Sequence, residues 1–343
     1  MKDKYNREID YIRISITQNC NLRCVYCIDE NSYHPSTTND LENSEIEKIV
    51  NQCGKLGIKK VRITGGEPLI RKDIKDLFYR LNKIENIKEI YMTTNGINLV
   101  DKIDYLKLNG LKGVNISLDT LRKDRFIDIT KSDKLENVLN SINKALSLDI
   151  KVKINVVLIE DINKDEILDF VEFVKDKKID LRFIELMPIG LGKKYIGVSN
   201  KEVYKTISSR YTNIQIAKKQ NPSEVASYIK IDNHKSKIGF ISAISDCFCD
   251  SCNKVRLTSD GFLKKCLHYN LGQDLKTLLR NNIDDDKLKE IIKSTIYDKP
   301  EKHLFRIDTL DQESRYMNQI GGWYGKSISN MYKWKKRNTK TWN

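Results

Sequence analysis

Short runs rich in β-branched residues alternate with segments of helical periodicity over the first two-thirds of the chain. The six β-rich runs are YIRISIT (11–17), KVRIT (60–64), IYMTTN (90–95), VNISLD (114–119), KVKINVVLI (151–159) and LRFIELM (181–187). Helical segments such as SEIEKIVNQCGKL, KDIKDLFYRLNKI, KLENVLNSINKAL and KDEILDFVEFVKD lie between them. Six strand–helix units in series predict a parallel α/β fold. Because a closed TIM barrel has eight strands, we predict an incomplete TIM-like (β/α)6 barrel.

Polar and apolar side chains alternate within these strands, which separates two faces. The apolar face of the first strand carries Ile12, Ile14 and Ile16. We predict that the apolar faces meet the helices and that the polar faces line the barrel lumen. Four strands each place one cation on the polar face: Arg13, Arg62, Lys153 and Arg182. Buried cations need a counter-charge, and a triphosphate would supply it.

The pattern changes after residue 210, where SYIKIDNHKSKIGFIS and KVRLTSDGFLKKCL predict two hairpins, the second turning at Ser-Asp-Gly. We expect these antiparallel strands at the open side of the barrel, followed by two short helices, DLKTLLRN and DKLKEIIKSTI. The chain is therefore divided into a partial barrel (5–215), a C-terminal domain (216–322) and a basic tail (323–343).

The net charge of +14 indicates an anionic partner, either nucleic acid or a phosphorylated small molecule. The excess of Lys and Arg is spread along the chain, and only the tail YKWKKRNTKTW forms a dense basic patch. No run of eighteen apolar residues exists, and the N-terminus MKDKYNREID has no apolar region of a signal peptide. We expect a soluble, cytoplasmic protein that does not bind membranes.

The stretch CNLRCVYC places Cys20, Cys24 and Cys27 directly after the first predicted strand. Cysteines in a large chain without a signal peptide more often bind metals or act in redox chemistry than form disulfides. Three thiolates suit a four-iron cluster that keeps one iron open for a chelating small molecule. A zinc ion with a remote fourth ligand is the alternative.

A second group of cysteines stands in CFCDSCNKVRLTSDGFLKKC, where Cys249, Cys252 and Cys266 again supply three ligands. The preferred interpretation is a second iron–sulfur cluster with an iron open for substrate. Zinc is the alternative here too, because Cys247 or His268 could be a fourth ligand. Cys53 lies at helical spacing among apolar residues and is predicted to be a core residue.

ITGGEPLIR (63–71) follows the second predicted strand. Gly65 and Gly66 allow the backbone to approach a ligand closely, and Glu67-Pro68 makes the turn rigid. A glycine pair alone would also fit an ordinary strand–helix turn.

These motifs together resemble the radical S-adenosylmethionine (SAM) enzymes, and within them the GTP 3',8-cyclase family of molybdenum cofactor biosynthesis. The resemblance runs from YIRISITQNCNLRCVYC through TGGEP, MTTNG, NISLDTL, VKINVV and RFIELMP to CNKVRLTSDGFLKKC and IGG. It implies a radical SAM barrel, two [4Fe-4S] clusters and SAM as cofactors, and conversion of GTP to 3',8-cyclo-7,8-dihydroguanosine 5'-triphosphate. A 5'-deoxyadenosyl radical takes the hydrogen from C3' of GTP, and the second cluster binds the guanine.

The resemblance also implies roles for individual residues. The neighbours of SAM would be Tyr26, Gly66, Ser117 and Met187. The contacts of GTP would be Arg13, Arg62, Thr93, Lys153, Arg182, Lys254, Val255 and Arg256. The diglycine that reaches the active site in the family would be Gly321 and Gly322. Implied partners are GTP, an external electron donor and a downstream enzyme that takes the cyclised nucleotide; a homodimer is left open, and no nucleic acid is expected.

The sequence departs from the family pattern at three places. Lys254 stands where the family often has Arg, so a two-pronged contact becomes a point charge. Cys247 is an additional thiol beside the second cluster. Gly321 and Gly322 are followed by residues 323–343, whereas the family ends in its two glycines.

Two other interpretations stay open on the sequence alone. A related radical SAM enzyme could act on another nucleotide or on a peptide. A zinc- or cluster-containing regulator that binds nucleic acid through its basic tail belongs to a different class and would show salt-sensitive binding without SAM cleavage.

Overall fold

The computed structural model describes residues 1–28, 40–187, 190–219, 223–245 and 248–302. Over these residues the strands are β1 Tyr11–Ser15, β2 Lys60–Thr64, β3 Glu89–Thr94, β4 Leu111–Ser117, β5 Lys151–Leu158, β6 Ile179–Glu185, β7 Ile214–Ala217, β8 Ser227–Ile231, β9 Lys237–Ile241, β10 Lys254–Leu257, β11 Phe262–Lys264 and β12 Gly272–Asp274. The helices are α1 Asn43–Lys55, α2 Ile74–Asn82, α3 Ile103–Leu108, α4 Lys123–Thr130, α5 Leu135–Ser147, α6 Ile167–Val174, α7 Asn200–Arg210, α8 Leu275–Arg280 and α9 Asp285–Tyr297.

All these strands form one twelve-stranded sheet in the order β12-β11-β10-β1-β2-β3-β4-β5-β6-β9-β8-β7. Strands β1 to β6 are parallel and follow one another in sequence order, as the six predicted units require. Sequential parallel strands with helical crossovers are typical of a barrel-like α/β fold. The prediction of an incomplete (β/α)6 barrel is confirmed.

The two predicted hairpins, β8–β9 and β10–β11, lie at opposite edges of the six-stranded core. Each attaches through one strand that runs parallel to its neighbour, β9 beside β6 and β10 beside β1. Their partner strands, β8 and β11, are antiparallel. The hairpins thus lengthen the curved sheet at both ends, and β10 joins the second cysteine cluster to the barrel.

The apolar face of the strands packs against the helices, as the alternation predicts. Ile12 and Ile14 are fully buried, and the same core contains the apolar stripes of α1, α2, α5 and α6. Cys53 lies in this core with no exposed surface, which confirms its predicted structural role. No helix in the described part of the chain is long and apolar enough to cross a membrane.

Three helices have no counterpart in the predicted elements: α3, α4 and α7. They are short or weakly amphipathic; α7 buries Asn200, Val203 and Ile207 and exposes most of its other residues. A helix with so few buried positions gives a weak periodic signal, and its stability comes from tertiary packing. Strand boundaries differ from the predicted ones by at most three residues.

Candidate active site

The loop of Cys20, Cys24 and Cys27 follows the C-terminal end of β1, where catalytic residues of barrels collect. Cys24 and Cys27 are buried, and the amide of Cys27 donates to the carbonyl of Cys24 at 2.8 Å. The loop is fixed to the end of α4, because the amides of Arg23 and Val25 donate to the carbonyls of residues 130 and 129. The three cysteines therefore have a rigid support.

These thiols strongly resist ionisation in the absence of a positive partner. Burial raises the pKa of Cys20 to about 12, and it raises the pKa values of Cys24 and Cys27 well above the ordinary thiol range. Cys20 also opposes ionisation of Cys24, and both oppose ionisation of Cys27. A positively charged iron centre would reverse this balance, because thiolates are its preferred ligands.

The glycine turn packs against the backbone of the cysteine loop. The amide of Gly66 donates to the carbonyl of Thr17 at 2.8 Å, and that of Glu67 donates to the carbonyl of Asn19 at 2.7 Å. A Cβ on Gly66 would lie 2.2 Å from the Asn19 oxygen, which no side chain can tolerate. The absence of a side chain at Gly66 thus allows the glycine turn to pack closely against the backbone of the cysteine loop.

Glu67 holds this turn to the end of β3. Its carboxylate accepts hydrogen bonds from the Leu69 amide (3.0 Å), the Thr94 hydroxyl (2.7 Å) and the Asn95 amide (2.7 Å). Burial raises its pKa to about 7. The Asn95 side chain continues the chain of contacts to Asn21 in the cysteine loop at 2.8 Å. Glu67 therefore serves to position the loops that surround the three thiols.

A cleft opens at this end of the barrel and encloses about 580 Å³, including the solvent at its mouth. Its walls bring together residues from the first four strands and their loops: Arg13, Cys20, Leu22, Cys24, Cys27, Ile28, Thr64, Gly65, Gly66, Thr93, Thr94, Asn95 and Ser117. Residues assigned from the sequence to the cluster, to SAM and to GTP thus share one space.

Tyr26 does not line this cleft. It is buried, and its hydroxyl donates a short hydrogen bond to Asp119, whose other oxygen accepts from the Val157 amide at 2.8 Å. Burial raises the pKa of Asp119 to about 6. Asn163 adds a bond to the Asp119 carbonyl at 2.7 Å. Sequence reasoning did not assign this network, although Asp119 follows the polar phase of its strand; it anchors the cysteine loop to β5.

Three arginines form a row across β10, β1 and β2. Parallel pairing places Arg13 opposite Arg256 on one side and opposite Arg62 on the other. Burial is the main cause that lowers the pKa of Arg13, to about 9, and the two neighbouring cations add to it. Among the described residues, the buried Nε of Arg13 has no hydrogen-bond partner. The buried guanidinium of Arg13, which lies beside two further arginines, therefore suits an anionic ligand.

Tyr11 lies beside this row on the same strand face and was not assigned from the sequence. The Nε of Arg62 donates to its hydroxyl at 2.5 Å. Burial alone would raise the pKa of Tyr11, but the cations of Arg62, Arg13 and Lys254 outweigh it and lower the pKa to about 8. The pKa of Tyr11 therefore depends on how far an anion neutralises these neighbouring cations.

We predict that the affinity for a nucleoside triphosphate falls as the pH rises through about 8, because the Tyr11 phenolate competes with phosphate for the same cations. The loss is at most about tenfold per pH unit, since one proton is linked to binding. Calorimetric titrations of GTP between pH 7 and 9.5 would measure it. Tyr11→Phe should remove the dependence, and Tyr91→Phe, on β3 opposite Arg62, should keep it. An unchanged slope in Tyr11→Phe would contradict the prediction.

The other two lumen cations form a separate pair on the far strands. Lys153 makes an ion pair with Asp180 at 2.6 Å, and Arg182 donates to the Tyr228 hydroxyl at 2.5 Å. Both cations lie about 6 Å or less from the centre of the Tyr228 ring. Lys153 therefore has a counter-charge within the protein, which Asp180 on the neighbouring strand provides.

The remaining residues assigned to GTP occupy different surroundings. Thr93 lies in the cleft and 3.5 Å from Arg62. Lys254 donates to Asn253 at 2.8 Å and lies 5.5 Å from the centre of the Tyr11 ring. The side chain of Val255 is fully buried in the core, so its assigned contact is restricted to main-chain groups.

The second cysteine cluster lies at the base of the β10–β11 hairpin. Cys249 begins a short 3-10 turn, Cys252 precedes β10, and Cys266 follows β11. Because these strands are antiparallel, the hairpin brings Cys252 and Cys266 to the same end. Burial opposes ionisation of Cys252, but Lys299 and Lys254 outweigh it and lower its pKa. Arg256 interacts electrostatically with both Cys252 and Cys266, so it connects this cluster to the row of arginines.

Several assigned residues lie elsewhere. Met187 follows β6 and is not part of the cleft wall. Cys247, Gly321 and Gly322 lie outside the described residues, so their assigned roles stay predictions, as do the divisions of the chain at residues 215 and 322.

No three His, Cys, Asp or Glu side chains in the described ranges converge tightly enough to hold one metal ion. The first three thiols border a common cleft, and three thiolates are a donor set that suits a four-iron cluster with one open iron.

Comparison with known proteins agrees with this geometry. Residues 14–174 match the model of the Radical SAM superfamily, and residues 179–305 match Molybdenum Cofactor Synthesis C. A GTP 3',8-cyclase of Clostridium perfringens is 53% identical over 94% of this chain and 100% of its own length. Those of Clostridium botulinum and Clostridium acetobutylicum are 44% and 42% identical, with the same coverage.

Solved structures with little sequence identity share the fold. Streptococcus suis SuiB bound to its precursor peptide SuiA superposes with a TM-score of 0.61, at 16% identity, over 93% of this chain and 71% of that one. SuiB bound to S-adenosylmethionine gives a TM-score of 0.58, at 18% identity, over 84% and 69%. The match to the curated relatives extends over nearly the whole chain. This chain belongs to the GTP 3',8-cyclase family of the radical SAM superfamily.

Proposed function

We propose that this chain converts GTP to 3',8-cyclo-7,8-dihydroguanosine 5'-triphosphate, the first step of molybdenum cofactor biosynthesis. The observation that carries the proposal is the single cleft in which three thiols, a glycine turn and the cation Arg13 meet. The enzyme is a lyase that uses SAM and two [4Fe-4S] clusters.

Cys20, Cys24 and Cys27 would hold the first cluster, and Cys249, Cys252 and Cys266 the second. When bound, the reduced first cluster supplies the electron that cleaves SAM into methionine and a 5'-deoxyadenosyl radical. The donor sets fit: each contains three thiols on rigid turns, and three thiolates leave one iron of a four-iron cluster available to a small molecule.

The residues around the clusters would bind and orient the two substrates. Gly66 and Ser117 border the cleft beside the thiols and would contact SAM. The row of Arg13, Arg62 and Arg256 would hold the triphosphate, since guanidinium groups match phosphate oxygens in pairs. Positioned reactants react far faster than free ones, and a cleft closed by its substrates protects a radical from solvent.

Lys153 and Arg182 would contribute on the opposite side of the lumen. Their present partners, Asp180 and Tyr228, keep both side chains extended towards the strand face on which Thr93 also lies. Such pairing orders the cations before substrate arrives, which lowers the entropic cost of binding.

The proposed partners follow from the chemistry. Reductive cleavage of SAM needs an external electron donor, and the cyclised nucleotide needs a downstream enzyme that accepts it. Whether the chain forms a homodimer is settled by its mass in solution.

The test is anaerobic reconstitution with iron and sulfide, followed by incubation with SAM, a reductant and a panel of nucleotides. We expect about eight irons per chain, two four-iron clusters. We also expect 5'-deoxyadenosine release and a cyclised product with GTP. If only another nucleotide gives a product, that nucleotide is the substrate and not GTP. Salt-sensitive binding of RNA or DNA without SAM cleavage would overturn the proposal.

The cations yield a prediction that separates binding from stability. Arg13→Ala should weaken GTP binding about ten- to a hundredfold, because a charge-assisted contact is worth about 1.5–3 kcal/mol. Arg13→Ala should lower the free energy of unfolding less than Lys153→Ala does, because Lys153→Ala leaves Asp180 without its cation.

Calorimetry with GTP and denaturant unfolding of the two variants would measure both effects. Arg122→Ala is the control, because Arg122 pairs with exposed carboxylates outside the cleft. GTP binding by Arg13→Ala with wild-type affinity would place the phosphates elsewhere.

The diglycine prediction is tested by truncation. A chain that ends after Gly322 should keep cyclisation, and one that ends after Ile320 should lose it while both clusters assemble. Full cyclisation by the shorter chain would show that Gly321 and Gly322 play no part.

A further inference from the structure

The N-terminal residues form a compact turn that presents one buried arginine, Arg7. The Asp3 carboxylate accepts bonds from the amides of Tyr5 and Arg7 at 3.0 Å, and from the Arg7 Nε at 2.7 Å. The side chain of Asp3 is fully buried and that of Arg7 is 6% exposed. A charged pair this far from solvent is weak evidence for stability, because its desolvation cost offsets most of its attraction.

The outer nitrogens of Arg7 hold two distant segments together. Nη1 donates to the carbonyl of Cys249 at 3.1 Å and to that of Glu301 at 2.6 Å. Nη2 donates to the carbonyl of Pro300 at 2.7 Å. The planar guanidinium thus joins the second cysteine cluster to the segment 299–302, a task that a lysine ammonium cannot perform with the same geometry.

The Cys249 carbonyl, to which Arg7 donates, also closes the turn from Cys249 to Cys252. The Cys252 amide donates to the same Cys249 oxygen at 3.0 Å, so both of its acceptor positions are used. Displacing this oxygen would move two assigned cluster ligands together.

The segment 299–302 reaches the other side of the second cluster as well. The Lys299 Nζ donates to the carbonyl of Lys265, next to Cys266, at 2.9 Å. The Tyr269 hydroxyl donates to the carbonyl of Lys302 at 3.2 Å. The chain therefore crosses from Cys249 to Cys266, and Arg7 fixes one end of this crossing.

We propose that Arg7 is a positioning residue of the second iron–sulfur site, which acts through the Cys249 carbonyl to hold the turn from Cys249 to Cys252 against residues 299–301. The inference rests on the proposed function in one respect, namely that this site holds a [4Fe-4S] cluster. Arg7 touches neither substrate nor cofactor in this role.

The test compares Arg7→Ala and Arg7→Lys with Lys4→Ala, all reconstituted anaerobically with iron and sulfide. Lys4 lies in the same N-terminal turn and pairs with Asp298 at 3.0 Å. Within the described part of the chain, no hydrogen bond or ion pair joins it to residues 249–252. The readouts are iron per chain and the electron paramagnetic resonance spectrum of each reduced cluster.

For Arg7→Ala we expect iron to fall from about eight towards about four per chain, and the signal of the second cluster to change or disappear. The signal of the first cluster should stay, which a general loss of stability would not allow. Added guanidinium ion at millimolar concentration should restore the second signal in Arg7→Ala and leave Lys4→Ala unchanged.

Arg7→Ala with eight irons and a wild-type second signal would overturn the inference. If Arg7→Ala does not fold, Arg7→Lys provides the test. Lysine keeps a positive charge beside Asp3 but cannot donate to the carbonyls of both segments as arginine does. An unchanged signal of the second cluster in Arg7→Lys therefore also overturns the inference. Wild-type protein with only one cluster, or with zinc at the second site, would contradict the proposed function before any variant is compared.

Discussion

Replacing Cys24 by alanine is expected to abolish 5'-deoxyadenosine release while the second cluster still assembles. Cys24 is buried, its ionisation is opposed by Cys20, and it opposes the ionisation of Cys27. Loss of one of three ligands leaves a second iron without a protein thiolate, and the cluster can then no longer bind SAM in a defined way. Cys20→Ala and Cys27→Ala should behave alike.

Chromatographic measurement of 5'-deoxyadenosine and an iron count of about four per chain would establish this result. Cys53→Ala is the matched control, because Cys53 is equally buried but lies in the hydrophobic core. SAM cleavage retained by any of the three ligand variants would refute the assignment of the first cluster.

The second prediction concerns the cluster beside β10. Cys252→Ala should stop formation of the cyclised nucleotide and lower the iron content from about eight to about four, while SAM cleavage continues. The two clusters lie on different elements, the loop after β1 and the base of the β10–β11 hairpin, so they should be lost independently. Product mass and 5'-deoxyadenosine, measured in the same reaction, separate the two activities.

Cys247→Ser is the informative comparison for this prediction. If three cysteines hold the second cluster, Cys247→Ser keeps about eight irons per chain. A second site that empties in Cys247→Ser, or that holds zinc in anaerobically purified protein, would make Cys247 a ligand and contradict the three-ligand interpretation.

Local sequence determined the strands, their phase and the spacing of the chemical groups. A period of two separates Ile12 and Ile14 from Arg13 whatever the strand pairs with, and the structure places the first two in the core and the last in the cleft. Cysteine spacing likewise predicted two three-ligand groups, the first on one short loop and the second across the β10–β11 hairpin that returns Cys266 towards Cys252. The Ser-Asp-Gly turn was sufficient to predict the β10–β11 hairpin.

Only the tertiary structure decided which groups pair. Lys153 meets Asp180 because β5 and β6 are neighbours in this register, whereas Arg13 stands between two further arginines. A side chain at Gly66 would collide with the carbonyl of Asn19. Arg7 donates a hydrogen bond to the carbonyl of Glu301, which lies 294 residues further along the chain. A periodic pattern specifies which face a side chain takes, since that depends on local backbone geometry. Its partners across the sheet depend on long crossover connections and on register, which no local pattern records.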